Sequence, residues 1–414
     1  MKPDALSRRA FLGTSVTALG GLAFSSAGLP ALGRPRGGPP RILVVLELRG
    51  GLDGLAALQP ANHERLMRVR PTLAKPAAQL ELLADDCGLH PRLARIAARF
   101  RAGGLGIWRG VGHDQPSLSH FESRDWWDEG LVGEVRTGTG WLGRFGETLP
   151  PDPLAMLAIG DGSLPGSMRG VSRRPPAVRG LSGLALRGPE APGAKGNLRG
   201  VQRAEAIERM FSATRGDGEL EFVARLGLET ALAARRLADA EERRPKTGFP
   251  RSRLATDLAA VAAVIDSNLP TRVFHVVQDG YDTHADQAAS LERLLGDLDA
   301  SVDAFLTHLA AQGRLGEVLL MTTTEFGRRV AESGEGGSAG TDHGTASVLF
   351  LAGGGARPGL FGPAPDLERL DSAGNYAAGV DFRRIFAGVL SQWLGADPAE
   401  LLGPQFAPED VVIA

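Results

Sequence analysis

The run Ile42-Leu43-Val44-Val45-Leu46-Glu47-Leu48 limits what this chain can fold into more than any other segment. It is almost unbroken in apolar residues and rich in β-branched ones, so it lacks the alternation of a strand with one wet face. Such a run suits a strand buried on both faces of a parallel sheet. It ends in Arg49-Gly50-Gly51, a sharp turn, and then in Asp53. Related runs recur. Thr271 to Val277 predicts a strand leading into Asp282 and His284, and Glu317 to Thr322 a strand leading into Glu325. Leu105-Gly106-Ile107-Trp108 predicts a short strand, and Ser347 to Ala352 another that three glycines end.

Helical spacing fills the gaps. It covers His90–Arg101 (Leu93, Ile96, Ala97 and Phe100 on one face), a helix from Ser117 or Ser119 to Asp128, and the charged stretch Arg203–Arg244. It returns at Arg253–Leu269, Ala288–Gln312 and Phe382–Leu394. Strands alternating with helices predict the α/β class, with a mostly parallel central sheet and helices on both faces. In open α/β sheets ligands gather at the carboxyl ends of strands, which is where Asp53, Asp282, His284 and Glu325 fall. Asp342 and His343 come before a strand, so they need a return loop to reach that rim.

The N-terminus reads Ser7-Arg8-Arg9-Ala10-Phe11-Leu12-Gly13, followed by a weakly apolar stretch to about Leu29. Twin arginines before a weak apolar region mark twin-arginine export. Residues 1–33 are therefore assigned to a signal peptide and the start of a linker, with Ser25-Ser26-Ala27 as a tolerable cleavage site. The stretch is short and Gly-rich for a spanning helix, which needs about 20 apolar residues, so no permanent membrane span is expected. The partner is the export machinery and the destination the periplasm or the medium. Residues 34–414 read as a single domain, with a Gly/Pro/Arg-rich excursion from the core at 151–202 that borders a site. A net charge of -2 gives no reason to expect nucleic acid or an anionic membrane as partner. The lone Cys87 rules out an intrachain disulfide and reads as a small buried apolar residue.

Three Gly-rich islands carry the chemistry: Arg49-Gly50-Gly51-Leu52-Asp53-Gly54, Tyr281-Asp282-Thr283-His284 and Gly340-Thr341-Asp342-His343-Gly344. Asp282 and His284, two apart, point the same way in an extended segment and can share a metal ion; the plainer reading is a turn with a solvated histidine. His343 is a ligand candidate, with Asp342 binding a second ion or orienting a ligand; the plainer reading is a loop histidine. Asp53 is either a ligand or a simple Asx turn. Glu325 is either a second-site ligand or a cap group, and Arg328 either meets an anionic oxyester, for which its planar fork is suited, or is solvated. Ser117 and Ser119 open a helix, whose N-terminus favours an alkoxide and an anion, or else they cap it; Ser119 and Glu122 have capping-box spacing. His113 and His120 border the same loop. P-loop, H-E-x-x-H and C-x-x-C patterns are absent, and Gly353-Gly354-Gly355 lacks dinucleotide-loop spacing.

Six stretches together resemble an exported bacterial family of unknown function (domain of unknown function 1501), placed near the sulfatases and alkaline phosphatases. They are Leu48–Gly54, Ser119-His120-Phe121-Glu122, Thr139–Arg144, Tyr281–Gln287, Thr324–Arg328 and Gly340–Gly344. The resemblance covers nearly the whole length and implies an alkaline phosphatase-like α/β fold. It implies a metal-ligating acid at Asp53, a nucleophile at Ser119 or Ser117, an acid and histidine for the other metal at Asp282 and His284, and a last histidine at His343. Glu325-Phe326 stands where the superfamily carries Asp-His, and an apolar ring cannot ligate, so the second metal site is left open as one ion, a different geometry or none.

The expectation is an exported, metal-dependent hydrolase of small or polymeric phosphate or sulfate esters, using a divalent ion such as zinc, calcium or manganese. Asp53, Asp282, His284 and His343 hold metal with Glu325 and Asp342 in support, Ser119 or Ser117 attacks, and Arg328 clamps the anion. The alternative is a non-catalytic periplasmic binding or assembly protein that keeps the fold.

Overall fold

The computed structural model describes residues 41–413 apart from 62, 85, 134–135, 182–208 and 211–217. The expected signal peptide and linker, and part of both the 151–202 excursion and the Arg203–Arg244 helix, lie outside the described residues. The strands are β1 Ile42–Arg49, β2 Leu58–Pro60, β3 Glu81–Ala84, β4 Cys87–Leu89, β5 Leu105–Gly112, β6 Met156–Ile159 and β7 Ala177–Val178. They continue with β8 Val273–Asp279, β9 Val318–Thr323, β10 Gly327–Arg328, β11 His343–Gly344, β12 Ser347–Gly353, β13 Gly359–Phe361 and β14 Val380–Asp381. The helices used below are α1 Gly54–Ala57, α2 Glu64–Val69, α3 Ala94–Arg101, α4 His120–Glu129, α5 Trp141–Glu147, α6 Glu219–Glu241, α7 Arg253–Asp266, α8 Gln287–Ala311 and α9 Phe382–Gly388.

The main sheet runs β7-β6-β8-β1-β9-β12-β5-β13, with β14 also paired to β5. Strand β1 sits inside it, parallel to β8 on one side and β9 on the other. Its even residues Ile42, Val44, Leu46 and Leu48 join one core with α3, α7 and α8. Leu43 and Val45 join the opposite core with Trp127 of α4, Trp141 of α5 and Phe382 of α9. Both faces are covered, so both parities are apolar, and each fully buried Val, Leu or Ile contributes roughly 1.5–3 kcal/mol. This is the α/β arrangement expected from the sequence, mostly parallel with helices on both faces.

Two features differ from expectation. Within 151–181 the chain does not leave the core, because β6 pairs with β8 and β7 with β6, extending the sheet at its edge. These strands are too short for a clear pattern. Strand β12 runs antiparallel to both β9 and β5. Its first residue therefore lies at the rim where the parallel strands end, and Asp342 and His343 arrive there directly, without the return loop a parallel strand would need. The β10–β11 pair then sets Arg328 opposite His343. Strands β2, β4 and β3 form a separate antiparallel sheet.

Candidate metal centre

The turn after β1 is built for close approach. Gly50 has φ +114, and a β-carbon there would collide with the Tyr281–Asp282 backbone. At Gly340 a β-carbon would collide with the backbone of His284. Glycine at these two points lets the three islands of the sequence lie against one another.

Arg328 fastens them. Its side chain is fully buried. Its Nε donates to the Gly51 carbonyl at 2.9 Å, Nη1 to the Thr341 carbonyl at 2.9 Å, and Nη2 to Gly50, to Tyr281 at 3.0 Å and to Asp282 Oδ1 at 2.8 Å. Every guanidinium nitrogen is engaged, so the expectation of Arg328 as an anion clamp is corrected: it ties loops together and orients Asp282.

Three histidines meet around Asp282. His284 Nε2 lies 3.1 Å and His343 Nε2 3.2 Å from Asp282 Oδ1, the two Nε2 atoms are 3.0 Å apart, and His120 Nε2 is 3.3 Å from Asp282 Oδ2. The donor atoms of His120, Asp282 and His343 all lie within 4.8 Å of one another. Each ring is held from behind at Nδ1. His120 meets Glu325 Oε1 at 3.0 Å, His284 meets Asp342 Oδ1 at 3.3 Å, and His343 donates to the Leu118 carbonyl at 2.8 Å. Phe326 packs between His120 and His343, at ring-centroid distances of 4.8 and 4.4 Å. The apolar Phe326 ring is thus a wall, and His120, on α4, reaches the centre from another element. Sequence reasoning gave His120 only a place near the loop; its signal was the Ser119-His120-Phe121-Glu122 island.

The electrostatics keep the donors ready. Burial alone would raise the Asp282 carboxyl, but the hydrogen bond and positive charge of Arg328 outweigh it and hold the group at about 2. Glu325 is treated alike: burial pushes it up, and the bonds from His120 and the Gly50 N–H pull it below the usual range. The Glu325 bond raises His120. Burial lowers His343, against the Leu118 carbonyl and Asp282. Asp282, His284 and Asp342 remain about half exposed, which opens the centre to solvent.

The other predicted residues stand elsewhere. Asp53 is buried and does not face the histidines: Oδ1 caps α1 at Ala56 N, and Oδ2 accepts from Arg70 at 2.7 Å and from Gln287. The expected metal role of Asp53 is corrected to an internal ion pair, because Arg70 of the segment after α2 already meets its charge. Arg70 carried no sequence signal, and Gln287 only its place at the end of the Tyr281–Gln287 stretch. Gln287 Oε1 accepts from Thr283 and Thr341, linking this pair to the loops of the centre. Glu325 serves as the anchor of His120. Ser117 Oγ donates to Glu122 Oε2 at 2.7 Å, while Ser119 precedes α4 without capping it and makes no side-chain hydrogen bond among the described residues. The capping box suggested by the Ser119–Glu122 spacing does not form. His113 is buried against Trp126 and Phe382, its pKa lowered by burial, and does not join the centre.

A charge network continues inward. Arg124 lies 3.5 Å from Glu325 and 3.7 Å from Glu47, which Arg49 holds with two bonds of 2.9 Å. Among the described residues no helix is long and apolar enough to cross a membrane.

This chain is similar to several solved proteins at low identity. One is the lipoteichoic acid synthase LtaP from Listeria monocytogenes: 9% identity, 89% of this chain and 75% of that chain covered, TM-score 0.37. Another is a protein in the alkaline phosphatase superfamily from Vibrio parahaemolyticus: 10%, 98% and 79%, TM-score 0.39. A third is the phosphonate monoester hydrolase SpPMH from Silicibacter pomeroyi: 12%, 89% and 78%, TM-score 0.38. No curated protein matches. The profile of one family, described as "Protein of unknown function (DUF1501)", matches residues 129–402, more than half of the sequence, and the chain belongs to that family.

Proposed function

We propose that the protein is an exported, metal-dependent hydrolase of phosphate or sulfate esters, acting in the periplasm or outside the cell. The observation that carries this reading is the convergence of three imidazole Nε2 atoms on the ionised Asp282 in a solvent-open position. A divalent ion bound there supplies Lewis-acid polarisation of the ester and acidifies the attacking hydroxyl. The chain's own residues do the rest. Glu325, Asp342 and the Leu118 carbonyl fix the rings so that their Nε2 lone pairs face inward. Arg328 aims Asp282. Ser119 is the nucleophile candidate, since its hydroxyl is free and the neighbouring Leu118 carbonyl is bonded to His343. Ser117, held by Glu122, is the lesser candidate.

The second reading is a non-catalytic periplasmic binding or assembly protein. One observation favours it: Arg328, the expected anion clamp, is fully buried with every guanidinium nitrogen bonded inside the protein. The test is a hydrolysis screen of aryl phosphate, phosphodiester and aryl sulfate by metal-loaded protein, with His343→Ala and Ser119→Ala beside it. Turnover abolished by His343→Ala supports the hydrolase. Loaded, folded protein that turns over none of these esters rejects it in favour of the binding protein.

A further inference from the structure

We propose that His120, Asp282, His284 and His343 form a one-ion site for an imidazole-preferring transition metal of the zinc and cobalt type, not for calcium or magnesium. The inference rests on the reading of this cluster as a metal centre and adds the ligand set, the number of ions and the metal class.

The argument begins with protons. The Leu118 carbonyl only accepts, so the His343 Nδ1 bonded to it carries hydrogen. The carboxylates of Glu325 and Asp342 place hydrogens on Nδ1 of His120 and His284 in the same way. In their neutral form all three rings then present a bare Nε2 lone pair to the middle. His284 Nε2 and His343 Nε2 face each other at 3.0 Å, and His120 Nε2 faces Asp282 Oδ2 at 3.3 Å without hydrogen-bond geometry. Two lone pairs at such a distance repel unless a proton or a metal ion lies between them. His120 Nε2 is moreover a buried nitrogen with no partner, and such atoms need an explanation.

An ion supplies the missing partner. Two nitrogens each about 2.0–2.1 Å from one ion stand roughly 3–3.4 Å from each other. The contacts of 3.0, 3.1, 3.2 and 3.3 Å have the length of edges of such a coordination shell. The outer anchors complete the pattern, since ligating histidines donate their second ring N–H to a carboxylate or a backbone carbonyl.

The donor set decides the metal class. Imidazole suits zinc and its neighbours, whereas calcium takes about 6–8 oxygens and magnesium demands oxygen donors in a near-ideal octahedron. Here the histidines outnumber the one carboxylate that faces the centre. Oδ1 of that carboxylate is shared with Arg328, and Asp342 is committed to His284 and lies 3.6 Å from Arg329. The other acids that a second ion would use are engaged too: Asp53 by Arg70 and Gln287, and Glu325 by Gly50 N and His120.

The test is cobalt titration of chelator-stripped full-length protein, read by visible absorption and elemental analysis. The expected result is one Co²⁺ per chain with ligand-field bands, displaced by one Zn²⁺ and untouched by a large excess of Ca²⁺ or Mg²⁺. His120→Ala is expected to weaken cobalt binding by at least the roughly 10–100-fold that loss of an outer partner costs, with circular dichroism reporting the fold. Should that variant not fold, Glu325→Gln, which leaves every ligand in place, is expected to lose roughly 10–100-fold. No bound cobalt, two ions per chain, displacement by Ca²⁺ or Mg²⁺, or wild-type affinity in the folded variants overturns the proposal. Cobalt bound as expected with no ester turned over leaves this site standing and removes the hydrolase reading. Turnover supported by Ca²⁺ does the reverse.

Discussion

Asp53 and Asp282 are near twins in sequence and opposites in structure. Each follows a buried parallel strand within a Gly-rich turn, and each lies at the carboxyl rim of the sheet. Asp53 is sealed, with its charge met by Arg70, itself 1% exposed. Asp282 has a side chain 46% exposed, with Arg328 behind it and three imidazoles in front. The difference teaches that position on the rim does not make an acid a ligand. What matters is whether a permanent cation of the protein already answers the charge. Where one does fully, as Arg70 does with help from Gln287 and Ala56 N, both oxygens are used. Where it does so from one side only, as Arg328 does, lone pairs remain for an exchangeable ion.

The comparison breaks most visibly through its buried half. Arg70→Ala strands a carboxylate in the interior, and losing one partner of a buried pair costs about 3–5 kcal/mol. Chemical denaturation should show that loss, while the molecules that remain folded keep their metal. Metal lost at unchanged stability would mean that Asp53 belongs to the centre after all. His343→Ala should do the converse. Metal affinity falls by more than the roughly 10–100-fold of an outer-partner loss, and denaturation of the metal-free form moves far less than in Arg70→Ala. Equal destabilisation of the two metal-free variants would erase the distinction between sealed and open acid.

A smaller effect sharpens the open half. Arg124→Ala removes a cation from behind Glu325 and leaves every ligand and every direct anchor in place. Affinity is expected to fall by less than tenfold, below the range for a direct outer partner, as read by competition with a chromophoric chelator. A loss as large as that of His343→Ala would mean that the inner charge network, and not the rings, sets affinity. The smallest effect is on pH. Metal needs neutral Nε2, so protons compete and affinity falls as pH drops through the imidazole range. His120, raised by Glu325, is protonated at a higher pH than His343, which burial lowers. Removing the carboxylate in Glu325→Gln lowers the His120 value, so the acid limb of its binding curve should shift to lower pH even as overall affinity declines. A shift the other way would show that Glu325 does not govern His120.

Much of the frame was legible in the residues. The almost unbroken apolar run from Ile42 to Leu48 announced a strand covered on both faces, and β8, β9 and β12 followed the same logic. Spacing set Asp282 and His284 side by side, whereas Asp342-His343 reaches the rim through the antiparallel course of β12 and not through the return loop expected of it. Strands β6 and β7 escaped, being too short for a period to declare itself. So did the direction of β12, because a strand's own pattern does not say which way its neighbours run.

The partners in the centre were decided by folding alone. His120 and Glu325 are 205 positions apart, His284 and Asp342 58, and Asp53 and Gln287 234. Nothing local distinguishes the arginine that seals Asp53 from the arginine that aims Asp282. By itself the sequence determined the periodicity that builds a covered sheet, the glycines that let the loops touch, and the residue types collected at the rim, because those are short-range properties of the chain. The tertiary structure decided which charge meets which, and which ring nitrogen faces inward. Those outcomes depend on distances and desolvation between segments that only the assembled sheet brings together.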